Sequence, residues 1–286
     1  MSRIINGKEI AEKFCDQIKL RAEEIQKQGT EPHIALINVG DDPASDVYVS
    51  KKKKLAASLG ISSTIYKLDR NTGEIELEKL IRSLNDDSKV HAILLQSPLP
   101  DHLNFRKFID MVNPEKDVDG LTTINLGKLF SCNSEVSPCT PLGVLHLLNT
   151  VHPDISGLHA AIIGRSFIVG RPLAQLLLNE NCTVTTLHSR SKNLPEICRT
   201  ADILISAVGR PLFVGKEFVK PGTTVIDVGV NRIEKDGAKK IVGDVNFDEV
   251  KEIAAAITPV PNGVGPMTVA YLMHNALILT RRLCHL

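Results

Sequence analysis

Tyr48 and Lys52 stand four residues apart in a stretch, Ser45 to Leu59, whose pattern predicts a helix, so their side chains share one face. Lys52 belongs to the run Lys51-Lys52-Lys53-Lys54. Such a run is ordinarily a solvated cationic face. A lysine turned into a cleft beside other ammonium groups has its charged form disfavoured, which suits it to acid or base work. Gln96-Ser97-Pro98-Leu99-Pro100 begins where a predicted strand ends, the side on which open α/β sheets bind ligands; Gln96 could fix a neighbouring polar group there. Asp117-Val118-Asp119-Gly120 resembles the middle of a calcium loop, but with Glu115 at position 1 the twelfth position is Leu126, which cannot ligate. A plain Asp-Gly turn or a ligand-facing carboxylate remains. Pro259-Val260-Pro261-Asn262-Gly263-Val264-Gly265-Pro266 is too rich in proline and glycine for a casual linker and could form a ledge against a flat ligand.

A second kind of chemistry is written in glycine. The run Gly164-Arg165-Ser166-Phe167-Ile168-Val169-Gly170 follows a predicted strand and precedes a predicted helix. In that context the amides of a helix N-terminus cradle a pyrophosphate. The spacing is not G-x-G-x-x-G, so the loop alone does not exclude an ordinary strand-to-helix turn. The next strand end adds information. An NAD site places an acid about 20 residues on, for the ribose 2′-hydroxyl. Asn181 to Pro195 contains no acid and offers His188-Ser189-Arg190-Ser191, with Arg165 in the glycine loop. Hydroxyl and guanidinium groups suit a 2′-phosphate, so NADP is expected over NAD.

The elements that must position these groups alternate. Ile10, Phe14, Ile18, Ala22 and Ile25 mark a helix that Asn6 can cap and Gly29 can close. His33–Val39, Ser62–Leu68 and His91–Leu95 read as strands, with helices over Ser45–Leu59 and Glu74–Asn85. In the second half His159–Ile163, Cys182–Leu187, Asp202–Val208 and Thr223–Val228 read as strands, with a helix from Arg171 or Pro172 to Asn179. This grammar predicts parallel sheets with crossover helices. Met111 to Pro141, rich in Asp, Asn, Gly, Ser and Pro, reads as the connection between the halves. After Pro266 a helical pattern resumes that could pack back on the first half. The expected architecture is an N-terminal α/β substrate domain, 1–141 with 267–286 packed on it, and a C-terminal Rossmann-type nucleotide-binding domain, 142–266.

The 286 residues suit about two domains, and 43% hydrophobic with 23% charged residues excludes a disordered or fibrous chain. Thirty-four basic against 33 acidic residues leaves +1, no excess to drive binding to nucleic acid. No segment offers the ~20 apolar residues of a membrane helix, and Met1 to Lys13 lacks the apolar core of a signal peptide, so a cytoplasmic protein is expected. Six cysteines without any C-x-x-C pair read as isolated thiols, and no metal site is expected.

Tyr48-x-x-x-Lys52, Gln96-x-Pro98-Leu99-Pro100, Asp117-Val118-Asp119-Gly120, Pro138-Cys139-Thr140-Pro141, Gly164-Arg165-Ser166-x-x-Val169-Gly170 and Gly263-Val264-Gly265-Pro266-Met267-Thr268 occur together and in order. In this the chain resembles the bifunctional methylenetetrahydrofolate dehydrogenase/methenyltetrahydrofolate cyclohydrolase family, over nearly its whole length. The length leaves no room for the formyltetrahydrofolate synthetase domain of some relatives. The resemblance implies NADP-dependent oxidation of 5,10-methylenetetrahydrofolate to the 5,10-methenyl cation, then hydrolysis to 10-formyltetrahydrofolate, serving purine, methionine and histidine biosynthesis. It implies Lys52 as the essential lysine, Gln96 as its hydrogen-bond partner, Tyr48 as the ring stacked on the folate and Asp119 as the acid holding the pterin. Pro261 and Gly265 match the substrate ledge; Gly164, Arg165, Ser166, Ser189 and Val230 match cofactor contacts. A homodimer paired through the cofactor domains is implied as well. Two departures stand out: Ser97 replaces a frequent aliphatic residue, and Asn262 a usual glycine, although asparagine tolerates positive φ. An uncharged Lys52 amine is expected in a crevice shared by pterin and nicotinamide. The rivals are weaker. A shikimate dehydrogenase would need a G-x-G-G-x loop, a short-chain dehydrogenase would place Tyr-x-x-x-Lys after the cofactor loop, and an NADP-responsive binding protein would leave Lys52, Gln96 and Asp119 without a task.

Overall fold

The computed structural model describes residues 2–235 and 238–286. In chain order its elements are β1 (Arg3–Ile4), α1 (Gly7–Lys27), β2 (His33–Val39), α2 (Pro43–Ser58), β3 (Ser62–Leu68), α3 (Glu74–Asp86), β4 (Ala92–Leu95), α4 (Phe105–Ile109), α5 (Thr123–Phe130), α6 (Cys139–Asn149), β5 (His159–Ile163), α7 (Gly170–Asn179), β6 (Thr183–Leu187), α8 (Leu194–Cys198), β7 (Ile203–Ser206), β8 (Thr224–Asp227), β9 (Asn231–Lys235), β10 (Ala238–Val242), α9 (Phe247–Val250), β11 (Ala256–Ile257) and α10 (Val264–Leu283). They gather into two compact units. One holds the residues up to Glu12 together with Pro138–Tyr271; the other holds Lys13–Ser137 and Leu272–Leu286.

The first unit is built on a six-stranded sheet of order β1-β11-β8-β7-β5-β6, every neighbouring pair parallel. Central strands of such a sheet are covered on both faces and so read as continuous apolar runs. Ala160–Ile163 and Ile203–Ile205 are accordingly buried throughout, each large side chain contributing roughly 1.5–3 kcal/mol by leaving water. Strand β6 is an edge, and its threonines stay partly exposed. The chain goes from β5 through α7 to β6 on one side, then returns through α8 to β7 on the other side of β5. The loops leaving β5 and β7 therefore diverge, and a crevice opens at the carboxyl end of the sheet. An antiparallel hairpin, β9 with β10, stands apart from this sheet.

The second unit has a three-stranded parallel sheet of order β3-β2-β4. Helix α1 buries Phe14, Ile18, Ala22 and Ile25 along one stripe, as its spacing predicts. Helix α2 starts on Asp42, whose carboxylate accepts the amide of Ser45 at 2.9 Å and its hydroxyl at 2.8 Å. The expected connection, 111–141, contains α5, capped by the Thr122 hydroxyl on the Asn125 amide.

Two boundaries differ from the expected ones. The alternation of elements predicts one domain over 1–141, but β1 pairs with β11, Arg3 opposite Ala256 and Ile4 opposite Ile257. The reason is a long-range ladder that a two-residue strand cannot announce locally. Gly7 then packs so tightly that a Cβ there would lie 1.9 Å from the Gly263 carbonyl oxygen. At the other end, the helical pattern predicts that 267–286 packs back on the first half as a whole, whereas the division falls inside α10, after Tyr271. Its first part bonds within the six-stranded unit, Thr268 with Thr140 and Tyr271 with His146, both at 3.0 Å. Its second part is held in the other unit, where Asn275 Nδ2 donates to the carbonyls of Val118 and Ser137, each at 3.0 Å. No helix among the described residues is long and apolar enough to cross a membrane.

Candidate active site

In the three-stranded unit the carboxyl ends of β2 and β4 carry the polar groups. Lys52, on α2, is only 9% exposed, although its neighbours Lys51, Lys53 and Lys54 are solvated. The run is thus both a cationic face and one buried amine. Lys52 Nζ donates to Gln96 Oε1 at 2.9 Å. The amide cannot turn away freely, because Gln96 Nε2 donates to the Ser97 carbonyl at 2.6 Å and Gln96 N to the Ile37 carbonyl at 2.9 Å. One backbone-anchored carboxamide therefore holds its oxygen toward the lysine. Tyr48, one turn earlier on the same helix, is 38% exposed, so its ring offers a face to a ligand. The N-terminal turns of α2 are tied down by Asp46, which accepts from Asn38 Nδ2 at 2.7 Å and pairs with Lys67.

Asp119 is half-buried in a turn laid along β4, where Asp117 forms a parallel bridge to Ile93. Parallel register carries Asp119 toward the strand end that bears Gln96. The turn is held by Asp117, which is fully buried and accepts from the Thr122 amide at 2.8 Å and from Asn125 Nδ2 at 2.9 Å. Burial pushes the Asp117 carboxyl above the usual range against those hydrogen bonds. The two carboxylates thus divide the alternatives: Asp117 is the structural member, and Asp119 the accessible one.

In the six-stranded unit, the loop after β5 is closed by its own serine. Ser166 Oγ accepts the amides of Val169 at 3.1 Å and Gly170 at 3.4 Å, capping the start of α7. Gly164 sits at φ +129°, and a Cβ there would lie 2.3 Å from the Ala207 carbonyl oxygen. A Cβ on Gly170 would lie 2.1 Å from the Gly164 carbonyl oxygen. The strand, loop and helix approach too closely for any side chain, the geometry a dinucleotide phosphate cradle needs. Beside it lies a pocket whose lining includes Gly164, Arg165, Ser189, Leu194, Arg210 and Phe213. An apolar seat ringed by two guanidinium groups and a hydroxyl fits the phosphorylated adenosine end of NADP. Ser166 and Val230 are not among the described residues of that lining; Val230 is 51% exposed just before β9. On the ledge, Asn262 adopts φ +78°, as a glycine replacement must, while Pro261 is exposed and Gly265 half-buried.

Two further residues organise this unit and carry no sequence motif. Asp244, fully buried, accepts from the amides of Val208 at 2.7 Å, Gly209 at 3.2 Å and Arg210 at 2.9 Å. The Ser206 hydroxyl and Asn231 Nδ2 also donate to it, at 3.3 and 2.9 Å. Asp227, at the end of β8, accepts from the amides of Gly229, Asp244 and Val245 at 2.9–3.0 Å. Burial pushes the Asp227 carboxyl up to about 7 despite those bonds, with the Asp244 charge adding to the rise. The only local hint was a pair of acids in apolar surroundings. Among the described residues, no group of three or more His, Cys, Asp or Glu side chains could hold a metal ion.

A doubly wound sheet with a glycine phosphate cradle, joined in one chain to an α/β unit bearing a buried lysine, defines a dinucleotide-dependent enzyme of two α/β units. Comparison makes this particular. Residues 5–119 match the model of the tetrahydrofolate dehydrogenase/cyclohydrolase catalytic domain, and 138–283 that of its NAD(P)-binding domain. The chain belongs to the tetrahydrofolate dehydrogenase/cyclohydrolase family. The bifunctional protein FolD of Acetivibrio thermocellus is 48% identical over 274 residues, 96% of this chain and 95% of that one. The FolD methylenetetrahydrofolate dehydrogenase/cyclohydrolase structure from Campylobacter jejuni superposes with a TM-score of 0.95 at 42% identity, covering 99% of each chain. The Trypanosoma brucei enzyme, complexed with NADP and an inhibitor, gives 0.94 at 35% identity, covering 98% of each. A shikimate dehydrogenase from Aquifex aeolicus, at 12% identity and a TM-score of 0.53, shares the fold alone.

Proposed function

We propose that this chain carries out both reactions of its family: NADP-dependent oxidation of 5,10-methylenetetrahydrofolate to the 5,10-methenyl form, and hydrolysis of that cation to 10-formyltetrahydrofolate. The observation that carries the reading is the buried Lys52 amine held by the Gln96 carboxamide at 2.9 Å, within the part of the chain that matches the folate catalytic domain. When bound, NADP supplies the hydride acceptor, and hydride loss from the one-carbon bridge is helped by the lone pairs of its two flanking nitrogens. The protein's share of that step is orientation. Tyr48 stacks on the folate and Asp119 holds the pterin through its hydrogen-bond donors; Pro261 and Gly265 are the positions that match the family's substrate ledge. Gly164, Arg165, Ser166, Ser189 and Val230 form the cofactor side, with Ser166 acting through the loop it caps.

Hydrolysis then falls to Lys52. Its amine takes a proton from the water that adds to the methenyl carbon. It delivers a proton to the ring nitrogen N5 as the carbon–N5 bond breaks, and the added hydroxyl releases its remaining proton to solvent, leaving the formyl group on N10. Gln96 contributes an acceptor without negative charge, so the lysine stays available to cycle its proton beside a cationic substrate. The expected result for Lys52→Met is a roughly thousandfold loss of cyclohydrolase activity, with binding of a folate analogue retained. Normal hydrolysis by this variant would remove Lys52 from the mechanism. We further propose a cytoplasmic homodimer paired through the six-stranded units, supplying formyl groups to purine, methionine and histidine biosynthesis. A monomer mass in light scattering at micromolar concentration would overturn the pairing.

A further inference from the structure

We propose that Arg210 is a second specificity-determining cation of the NADP site, paired with Arg165 on the 2′-phosphate. The inference rests on reading the pocket after β5 and β7 as the adenosine-phosphate end of the cofactor site. Arg165 enters the lining from the β5 loop, Ser189 from the end of β6, and Arg210 from the loop after β7. They come from three separate loops and meet at one cavity. Neither guanidinium has an ion-pair partner among the described residues. The stretch 181–195 that forms the neighbouring wall contains no acid. Two uncompensated cations facing one cavity lack the charge balance of ordinary surface arginines, which an anionic ligand would supply. A phosphomonoester near −2 at neutral pH matches two guanidinium groups, whereas a ribose hydroxyl matches neither.

Arg210 is also unusually well placed for an exposed side chain. Its own amide, and those of Val208 and Gly209, donate to the buried carboxylate of Asp244. Its guanidinium carbon lies 4.5 Å from the centroid of the Phe213 ring, a cation–π contact that limits the rotamers the head group must give up on binding. The backbone anchor belongs to the main chain, so Arg210→Ala leaves it intact and the fold undisturbed.

The test uses the full chain and two probes that differ by the group in question, 2′,5′-ADP and 5′-AMP, titrated calorimetrically. Arg210→Ala is expected to weaken 2′,5′-ADP about ten- to a hundredfold and 5′-AMP less than threefold, as loss of a charged hydrogen-bond partner dictates. Arg210→Lys should recover part of the loss, and the salt dependence of 2′,5′-ADP binding should flatten in the alanine variant. Equal weakening of both probes would place Arg210 against the adenine and overturn the proposal; no weakening would also overturn it. Arg165→Ala separates the two layers of the argument. If it selectively weakens 2′,5′-ADP and Arg210→Ala does not, the cofactor reading stands and this inference falls. If neither variant discriminates between the probes, both fall.

Discussion

The two units make their ligand-facing ends from different materials. In the six-stranded unit the essential surface is backbone: a loop with no room for a Cβ at Gly164 or Gly170, capped by Ser166. In the three-stranded unit the proposed site is side chain: one amine, one amide and one carboxylate, at Lys52, Gln96 and Asp119. Beneath this difference both units use the same support, a buried carboxylate that gathers nearby N–H groups and fixes a loop. Asp244 and Asp227 do this on one side and Asp117 on the other. The contrast teaches where substitutions will register. A backbone-built site fails through shape and folding; a side-chain-built site fails through chemistry with the fold intact.

The comparison can be broken first at Gln96. Gln96→Glu would set a carboxylate against the Lys52 amine and hold its proton. Hydrolysis should fall about a hundredfold at neutral pH and recover partly as pH rises, while thermal stability stays near wild type. A fall in stability as large as the fall in rate would erase the distinction between the units. Gly164→Ala should do the reverse. Positive φ and a 2.3 Å approach to Ala207 predict a loss of about 2–4 kcal/mol in unfolding free energy, read as a lower urea midpoint. A normal midpoint would show that the loop has slack.

Asp227 sharpens the point about supports. Its carboxyl titrates near 7 in the fold against about 3.8 when unfolded, so between those values the native state binds more protons than the unfolded chain. Its contribution to stability is therefore complete below pH 4 and declines as pH rises toward 7, by at most about 1.4 kcal/mol per unit. Comparing urea midpoints at pH 5 and pH 8, Asp227→Asn should show the smaller difference. An unchanged difference would assign the pH dependence elsewhere. The smallest effect belongs to Asp46→Asn. The pair with Lys67 is substantially exposed, so stability should change by less than about 1 kcal/mol; a larger loss would mean that surface charge, and not packing, seats α2.

What could be read from residues alone follows the same division. Strands β2 and β5 begin and end where their apolar runs do, because a strand covered on both faces has no other way to be written. The glycine loop was legible because close approach admits only one residue type. Lys52 with Gln96 was legible through the resemblance, because the lysine run alone reads first as a solvated face. Strand β1, the β9–β10 hairpin and the carboxylates of Asp227 and Asp244 were not legible. Each is defined by a distant partner, and an acid that will be buried has the same local spelling as one that will be solvated. Arg210 stayed hidden for that reason too, in a loop whose importance lies in what Asp244 does to its backbone.

That anchorage bears on how cofactor preference can drift. Because the 208–210 amides are gripped by a carboxylate indifferent to which side chains they carry, position 210 is free to exchange residues without rebuilding its loop. On the proposed role of Arg210, the nucleotide preference of this chain can then be altered at that one side chain while Asp244 keeps the loop in place.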